Sequence, residues 1–334
     1  MKAVFMFAGQ GSQYPGMGRD LYEKYPESRR VFQEAGEKIM KLCFEGSPED
    51  LKKTENTQPC VYTVTMAAYE AFKARCGLKA EAMAGFSLGE YAAMTAAGYI
   101  KSIAGGRELM EKRGLWMGQA GSDEKGQPKG TMAAAIGAPE KVEACVEAAR
   151  EKDILVAANF NAPTQTVVSG DIAAVERFTA LAKAEKLRVT PLAVGSAFHS
   201  PMMEPAAEKM KEFILSSGHV NCRKGQTDKV PVYSNYTAGP ADEYRRAGDD
   251  SLREEPEMED LAELMALQLK SPVRWVETVE RLIAGGADTF IEFGPGKTLT
   301  GLVKKISRDV KTFNISDCAG LEACLQAIRV EIQK

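Results

Sequence analysis

Histidine is scarce in these 334 residues, and His199 and His219 are the only two. Any chemistry that needs an imidazole base therefore has two candidates. The cysteines, Cys43, Cys60, Cys76, Cys145, Cys222, Cys318 and Cys324, are odd in number and widely spaced, and none forms a C-x-x-C pair. That pattern gives no zinc site and fits reduced thiols packed inside a cytoplasmic protein. No apolar run reaches the roughly 18 residues that a transmembrane helix needs. The apolar start, MKAVFMFAGQG, is too short for a signal peptide. Neither sign of charge dominates: 43 Lys and Arg stand against 46 Asp and Glu, for a net charge of -3. A chain so balanced is not built to coat nucleic acid or an anionic membrane, although a local basic patch remains allowed.

Hydrophobic residues make up 44% of the chain and charged residues 27%, which places it among globular proteins rather than disordered ones. Its length suits one large domain plus a smaller one or an insertion. Residues 3–8 (AVFMFA) read as a buried strand, followed by a glycine-rich turn, GQGSQYPGMG. Asp20 opens a helical stretch interrupted at Pro26. Val61, Val64, Ala68 and Phe72 recur at helical spacing, with Gly77 as the expected stop. Residues 81–97 read as a short strand, a sharp turn and an alanine-rich helix. A polar, breaker-rich linker spans 121–130.

Beyond the linker the pattern changes. Strands are expected at 131–137, 154–160, 165–169 and 188–194, and helices at 139–151 and 171–185. The order βαββαβ is that of a ferredoxin-like unit. The main domain resumes near GSAFHSPMM. Residues 237–256 read as an exposed, charged loop. Ser271 and Pro272 read as the N-cap and first residue of a helix carrying Val273, Val276, Val279 and Leu282, ending at Gly285–Gly286. A last strand, 288–293, turns through GPGK into a helix with Leu299, Leu302 and Ile306. The large domain thus reads as α/β with a parallel sheet. The expected division is 1–128 with 196–334 as the large unit and 129–195 as the small one.

The sharpest chemical signal is GFSLG at 85–89. It fits G-x-S-x-G between a strand and a helix, the context of a nucleophile elbow. Glycines at 85 and 89 allow close backbone approach around Ser87. The N–H of Leu88 then faces the developing oxyanion, aided by the positive helix end. The plainer reading is a Gly/Ser turn capping a helix. A serine needs a base. His199, after a predicted strand and beside Pro201, is favoured over His219, which sits in a polar, glycine-marked segment. Two other patterns fail. FGPGKTLTG ends like a phosphate loop, but the required earlier glycine is Ile291. GQGSQYPG starts like a dinucleotide fingerprint, but its third glycine is Tyr14. The latter turn is better suited to supplying a second oxyanion N–H, from Gln10.

Five segments in order, GQGSQYPGMG, GFSLGEYAA, AFHSPMM, QLKSPVRW and FIEFGPGKTLTGL, resemble the malonyl-CoA:acyl-carrier-protein transacylases of the free-standing bacterial type. The resemblance runs from Phe5 to about Ile328. It implies an α/β-hydrolase-like large subdomain with an inserted ferredoxin-like small one. It also implies ping-pong transfer of malonyl from malonyl-CoA, through a malonyl-serine at Ser87, to the phosphopantetheine thiol of acyl carrier protein. His199 would be general base, oriented by a main-chain carbonyl near Gln268 rather than by an acid. Leu88 and Gln10 would form the oxyanion hole, and Arg113, in EKRGLWM, would hold the malonyl carboxylate. Phe198 would disfavour an α-methyl branch. Asn159 and Asn161, in NFNAP, match a segment near the cleft. One departure stands out: Phe86 replaces the family's histidine before the serine, at a position assigned to substrate shaping.

No permanently bound cofactor or metal is implied, and a monomer is expected. The acidic carrier calls for a basic rim, from Lys183, Lys186 and Arg188 or from Lys304, Lys305 and Arg308; both clusters also read as solvated faces. Two other functions compete. A serine esterase or thioesterase could use the same elbow, but such enzymes place their histidine near the C-terminus. A non-catalytic carrier-docking module would have no need of Ser87, His199 and Arg113 together.

Overall fold

The computed structural model describes residues 1–223, 226, 229–247 and 256–332. Its strands are β1 (Ala3–Phe7), β2 (Ala82–Gly85), β3 (Gly130–Ile136), β4 (Leu155–Ala162), β5 (Gln165–Asp171), β6 (Arg188–Pro191), β7 (Val232–Tyr233), β8 (Thr289–Phe293) and β9 (Lys311–Ile315). A parallel sheet has the order β7-β2-β1-β8-β9, and an antiparallel sheet the order β4-β5-β3-β6.

The central strand β1 and its neighbours β2 and β8 are buried at every residue. A parallel sheet is covered on both faces, so such strands read as nearly unbroken apolar runs. Phe5, Phe7 and Phe293 point to one side, into the cluster that includes Tyr69 and Phe72 of the helix Thr54–Lys73. Phe5 meets Phe72 at 5.6 Å and Phe293 at 5.3 Å between ring centroids, both edge-to-face. Val4, Met6 and Phe290 point to the other side, against Trp275, Val279 and Leu299. Glu292 is the charged exception in β8. Its carboxylate accepts the N–H groups of Leu299 (2.9 Å) and Thr300 (2.8 Å), at the start of the helix Thr298–Ile306. The donors that a phosphate loop would turn on an anion are thus occupied by an internal side chain.

The antiparallel sheet carries the helices Pro139–Arg150 and Ile172–Ala184 in βαββαβ order, as expected for a ferredoxin-like unit. Strand β4 runs on to Ala162, two residues past its predicted end, and its register slips at Ala157/Asn159 and at Phe160/Ala162. Such bulges re-aim side chains next to sites. Strand β6 ends at Pro191, short of the predicted 194, although Leu192 N–H still donates to the Met132 carbonyl at 2.9 Å.

Three local expectations are corrected. The helix Thr54–Lys73 starts well before Val61 and ends four residues before Gly77, capped by Ala74. Ser271 and Pro272 do not start a helix: Ser271 caps the end of Met258–Lys270, and the next helix is Trp275–Ala284. The backbone between them is committed to strand pairing. Val273 donates to Ala158 (2.8 Å) and accepts from Phe160 (2.9 Å), so its side chain is outside the helical face, which is instead Trp275, Thr278, Val279 and Leu282. Third, residues 237–247 are not a fully exposed loop: Ala238 and Ala241 are buried, and Ala241–Glu243 form a 3-10 turn. Residues 248–255 of that stretch lie outside the described residues.

The carboxyl ends of β1 and β2 open into a crevice faced by β4 and β5, the usual place for a ligand in an open α/β sheet.

Candidate active site

Ser87 stands between β2 and the helix Leu88–Ala96 with φ 53° and ψ -108°. A non-glycine residue in that conformation is strained by about 1–3 kcal/mol. The flanking glycines are required by space. A Cβ at Gly85 would lie 1.9 Å from the Gly89 carbonyl carbon, and one at Gly89 would lie 2.1 Å from the Phe7 oxygen. Two side-chain amides hold the strained residue by its own backbone. Ser87 N–H donates to Asn235 Oδ1 at 2.7 Å, and Gln268 Nε2 donates to the Ser87 carbonyl at 2.6 Å. Leu88 N–H, at the first position of the helix, is one of the donors that a helix leaves without an internal partner.

His199 is 112 residues away in sequence, yet its Nε2 lies 2.8 Å from Ser87 Oγ. Its Nδ1 faces two carbonyls, those of Gln268 (3.0 Å) and Ser271 (3.2 Å). Carbonyls only accept, so Nδ1 carries the proton and Nε2 is left free to take one from the serine. His199 itself has φ 56°. The preceding peptide is held by Ser169 of β5, whose hydroxyl donates to the Phe198 carbonyl at 2.7 Å. Burial, reinforced by the Arg113 charge, pushes the imidazole pKa down to about 4, against the upward pull of the two carbonyls. The ring is therefore neutral, the form a general base requires.

Arg113 is fully buried on the helix Ile103–Ala120. Its hydrogen bonds go to neutral groups: Gln58 Oε1 at 2.9 Å, Gln268 Oε1 at 2.9 Å and Ser87 Oγ at 3.2 Å. Its guanidinium lies 5.4 Å from the Tyr91 ring centroid. Burial lowers its pKa, while Tyr91 and Glu90 pull the other way. A planar guanidinium of this kind has the geometry that suits a carboxylate. Nearby Glu90 is also fully buried, and desolvation raises its carboxyl to about 7.

Ser87, His199 and Arg113 share a cavity of about 400 Å³. Gln10, Phe86, Phe198, Asn159 and Asn161 line it too. Gly9 touches the residue before the serine: a Cβ there would lie 2.6 Å from the Phe86 carbonyl, which sets Gln10 beside the elbow. The Phe86 ring packs edge-on against Trp275 at 5.6 Å. Gln268 contributes its main-chain carbonyl and, beyond that expectation, both ends of its side-chain amide. A larger cavity of about 620 Å³, by Phe160, Pro272 and Arg274, holds none of the reacting side chains. His219 is elsewhere: its Nε2 meets Glu108 Oε2 at 2.9 Å and its ring packs on Phe213.

Sequence reasoning missed Gln58, Asn235 and Glu90. Gln58 lies just before the predicted helix start at Val61; a longer helix would have shown it as a polar residue on a buried face. Glu90 was visible inside GFSLGEYAA but suggested no role. Asn235 gave no local signal in SNYT.

Residues 4–322 match a family profile described as "Acyl transferase domain". The malonyl CoA-acyl carrier protein transacylase of Bacillus subtilis (strain 168) is 40% identical over 337 residues, covering 99% of this chain and 98% of that protein. The crystal structure of malonyl CoA-acyl carrier protein transacylase from Clostridium perfringens superposes with a TM-score of 0.86 at 35% identity, over 100% of this chain and 99% of that one. A malonyl-transacylase solved in complex with its type II PKS acyl-carrier protein gives a TM-score of 0.86 at 31% identity, over 98% of this chain and 100% of that one.

Proposed function

The chain belongs to the acyl transferase family, and from that membership we propose that it carries malonyl from malonyl-CoA to the pantetheine thiol of an acyl carrier protein. The observation that carries the reading is a single hydroxyl oxygen, Ser87 Oγ, within hydrogen-bond reach of both a neutral imidazole and a buried guanidinium.

Malonyl-CoA enters as substrate, its free carboxylate on Arg113 and its thioester carbonyl over Ser87. His199 Nε2 takes the Ser87 proton as Oγ attacks the carbonyl carbon. Leu88 and Gln10 N–H groups receive the oxyanion. The carbon–sulfur bond then breaks, and the thiol of coenzyme A leaves with the proton returned by His199. In the second half the carrier's thiol gives its proton to His199, its sulfur attacks the malonyl ester, and Ser87 Oγ leaves and is reprotonated. The reaction runs on this chain's own side chains and main-chain groups, with no resident cofactor.

Arg113 also adjusts the base. In the free protein its charge helps depress His199. A bound carboxylate neutralises that charge, so His199 becomes more basic when a diacid occupies the site. A monoacyl thioester leaves the base weak. Phe198 and Phe86 narrow the cavity against an α-branched acyl chain. Asn161 Oδ1 is buried with no hydrogen-bond partner among the described residues, an acceptor suited to a pantetheine amide, and Asn159 lines the same wall.

For the acidic carrier, Lys305 Nζ donates to Gln165 Oε1 at 2.8 Å, and Gln165 lines the cavity. That contact supports assigning the basic rim to Lys305 and its chain neighbours Lys304 and Arg308. The working division of the chain is a large unit, 1–128 with 196–334, and a small unit, 129–195. No described helix is long and apolar enough to cross a membrane. A cytoplasmic location is supported by its free cysteines, and the working oligomeric state is a monomer.

Initial rates with malonyl-CoA and holo carrier protein varied together test the function. Parallel double-reciprocal lines, with malonyl on the carrier, are expected. Free malonate released at a rate indifferent to the carrier would make the protein a thioesterase.

A further inference from the structure

Strand β7 pairs in parallel with β2, Val232 opposite Met83 and Tyr233 opposite Ala84. Continuing both strands past the sheet brings Asn235 level with the turn that carries Ser87. The Asn235 carboxamide spans that turn. Its Oδ1 accepts the Ser87 N–H at 2.7 Å and its Nδ2 donates to the Gly85 carbonyl at 2.6 Å. Beneath it, Glu90 Oε2 accepts the Asn235 N–H at 2.8 Å. Asn235 and Glu90 are both buried. Glu90 lies one helical turn beyond the serine, so the carboxyl ties the end of β7 to the helix that supplies the Leu88 N–H.

A turn with positive φ at its nucleophile relaxes unless something holds it. Neither residue lines the cavity, so neither touches substrate. We propose that Asn235 and Glu90 are positioning residues: Asn235 brackets the Ser87 turn in its reactive conformation, and Glu90 fixes Asn235 from below. Together they aim the Leu88 N–H at the oxyanion. The effect therefore falls on the chemical step, not on binding of the acyl donor. The proposal takes its substrate from the transfer reading but not its geometry.

The test compares Asn235→Ala, Asn235→Ser, Glu90→Ala and Glu90→Gln with the unaltered protein. Two rates are measured: malonyl transfer, and phosphonylation of Ser87 by a fluorophosphonate probe. Melting temperature is followed in parallel. Misplacing a reacting group by about 1 Å costs roughly a hundredfold. Asn235→Ala is expected to lower kcat and the phosphonylation rate by about tenfold to a hundredfold, with KM changed less than about twofold. Asn235→Ser keeps a polar group but cannot span both backbone atoms; it carries the same expectation and serves if the alanine variant does not fold. Glu90→Ala shares the defect. Glu90→Gln, whose amide oxygen still accepts the Asn235 N–H, restores most of the rate.

A folded Asn235 variant with an unchanged kcat would overturn the proposal. So would a loss confined to KM, or a Glu90→Gln variant that melts normally yet is as slow as Glu90→Ala. If the unaltered protein fails to transfer malonyl but its Ser87 reacts with the probe, the transfer reading falls, and the probe rates still decide the roles of Asn235 and Glu90.

Discussion

Arg113 Nη2 donates to Ser87 Oγ at 3.2 Å, so the cation that would receive a substrate carboxylate already touches the nucleophile in the free protein. Specificity and reactivity therefore meet at one oxygen atom.

Replacing Arg113 tests that coupling. Losing one partner of a buried charge pair costs roughly 2–5 kcal/mol. Arg113→Ala is expected to lower kcat/KM for malonyl-CoA by about thirtyfold to a thousandfold or more, while acetyl-CoA loses far less. Arg113→Lys keeps the charge but not the fork and falls between the two. Unchanged discrimination between the two thioesters would remove Arg113 from the acyl site.

The pH dependence follows from His199. Its pKa in the folded protein is lowered from 6.5 to about 4, so protonation, and with it loss of the base, is postponed to acid. We expect kcat/KM to stay level from neutrality down to roughly pH 5 and to fall below that, since this parameter reports the free enzyme. The acid limb of kcat lies at higher pH, because a carboxylate on Arg113 removes the repulsion. In Arg113→Ala the kcat/KM limb itself shifts upward. An acid limb of kcat/KM near 6.5 in the unaltered protein would contradict the burial and charge assigned to His199.

Space around the elbow makes a sharper demand. Because a Cβ at Gly85 would lie 1.9 Å from Gly89, Gly85→Ala must displace backbone. Forced overpacking costs about 1–3 kcal/mol or more. A lower urea midpoint together with lost acyl-serine formation is expected. A variant of normal stability and rate would mean that the turn is looser than this geometry.

Acyl selectivity is assigned to the phenylalanines. Phe198 is buried at the cavity wall and Phe86 is braced by Trp275. One methyl group in an apolar pocket discriminates by about tenfold to two-hundredfold. Phe198→Ala is expected to raise the methylmalonyl-to-malonyl ratio of kcat/KM by about tenfold; competition between the two thioesters measures it.

The legible parts of this protein were those in which chemistry is local. GFSLG announces a strained turn because only glycine leaves room on both sides of Ser87, and His199 was found because imidazole is so scarce. The βαββαβ order followed from periodicity and breakers within one stretch of chain. Arg113 and the Gln268 carbonyl came from resemblance alone, since a lone arginine and a backbone oxygen carry no mark of their use. Asn235 stayed hidden because its role depends on β7 pairing with β2, which brings it to Ser87 from 148 positions away. Ser271–Pro272 misled for a related reason. A good local helix start lost to a bridge between Val273 and Asn159, and that bridge also leaves the Ser271 carbonyl facing the imidazole. Long-range pairing overrode local propensity where it built the site.

The most direct test is the mass of the protein after brief exposure to malonyl-CoA. One malonyl group should appear on the peptide containing Ser87, persist in the absence of acceptor, disappear on addition of holo acyl carrier protein, and never form in Ser87→Ala. An unmodified protein, or a malonyl group carried on any other residue, would contradict the account.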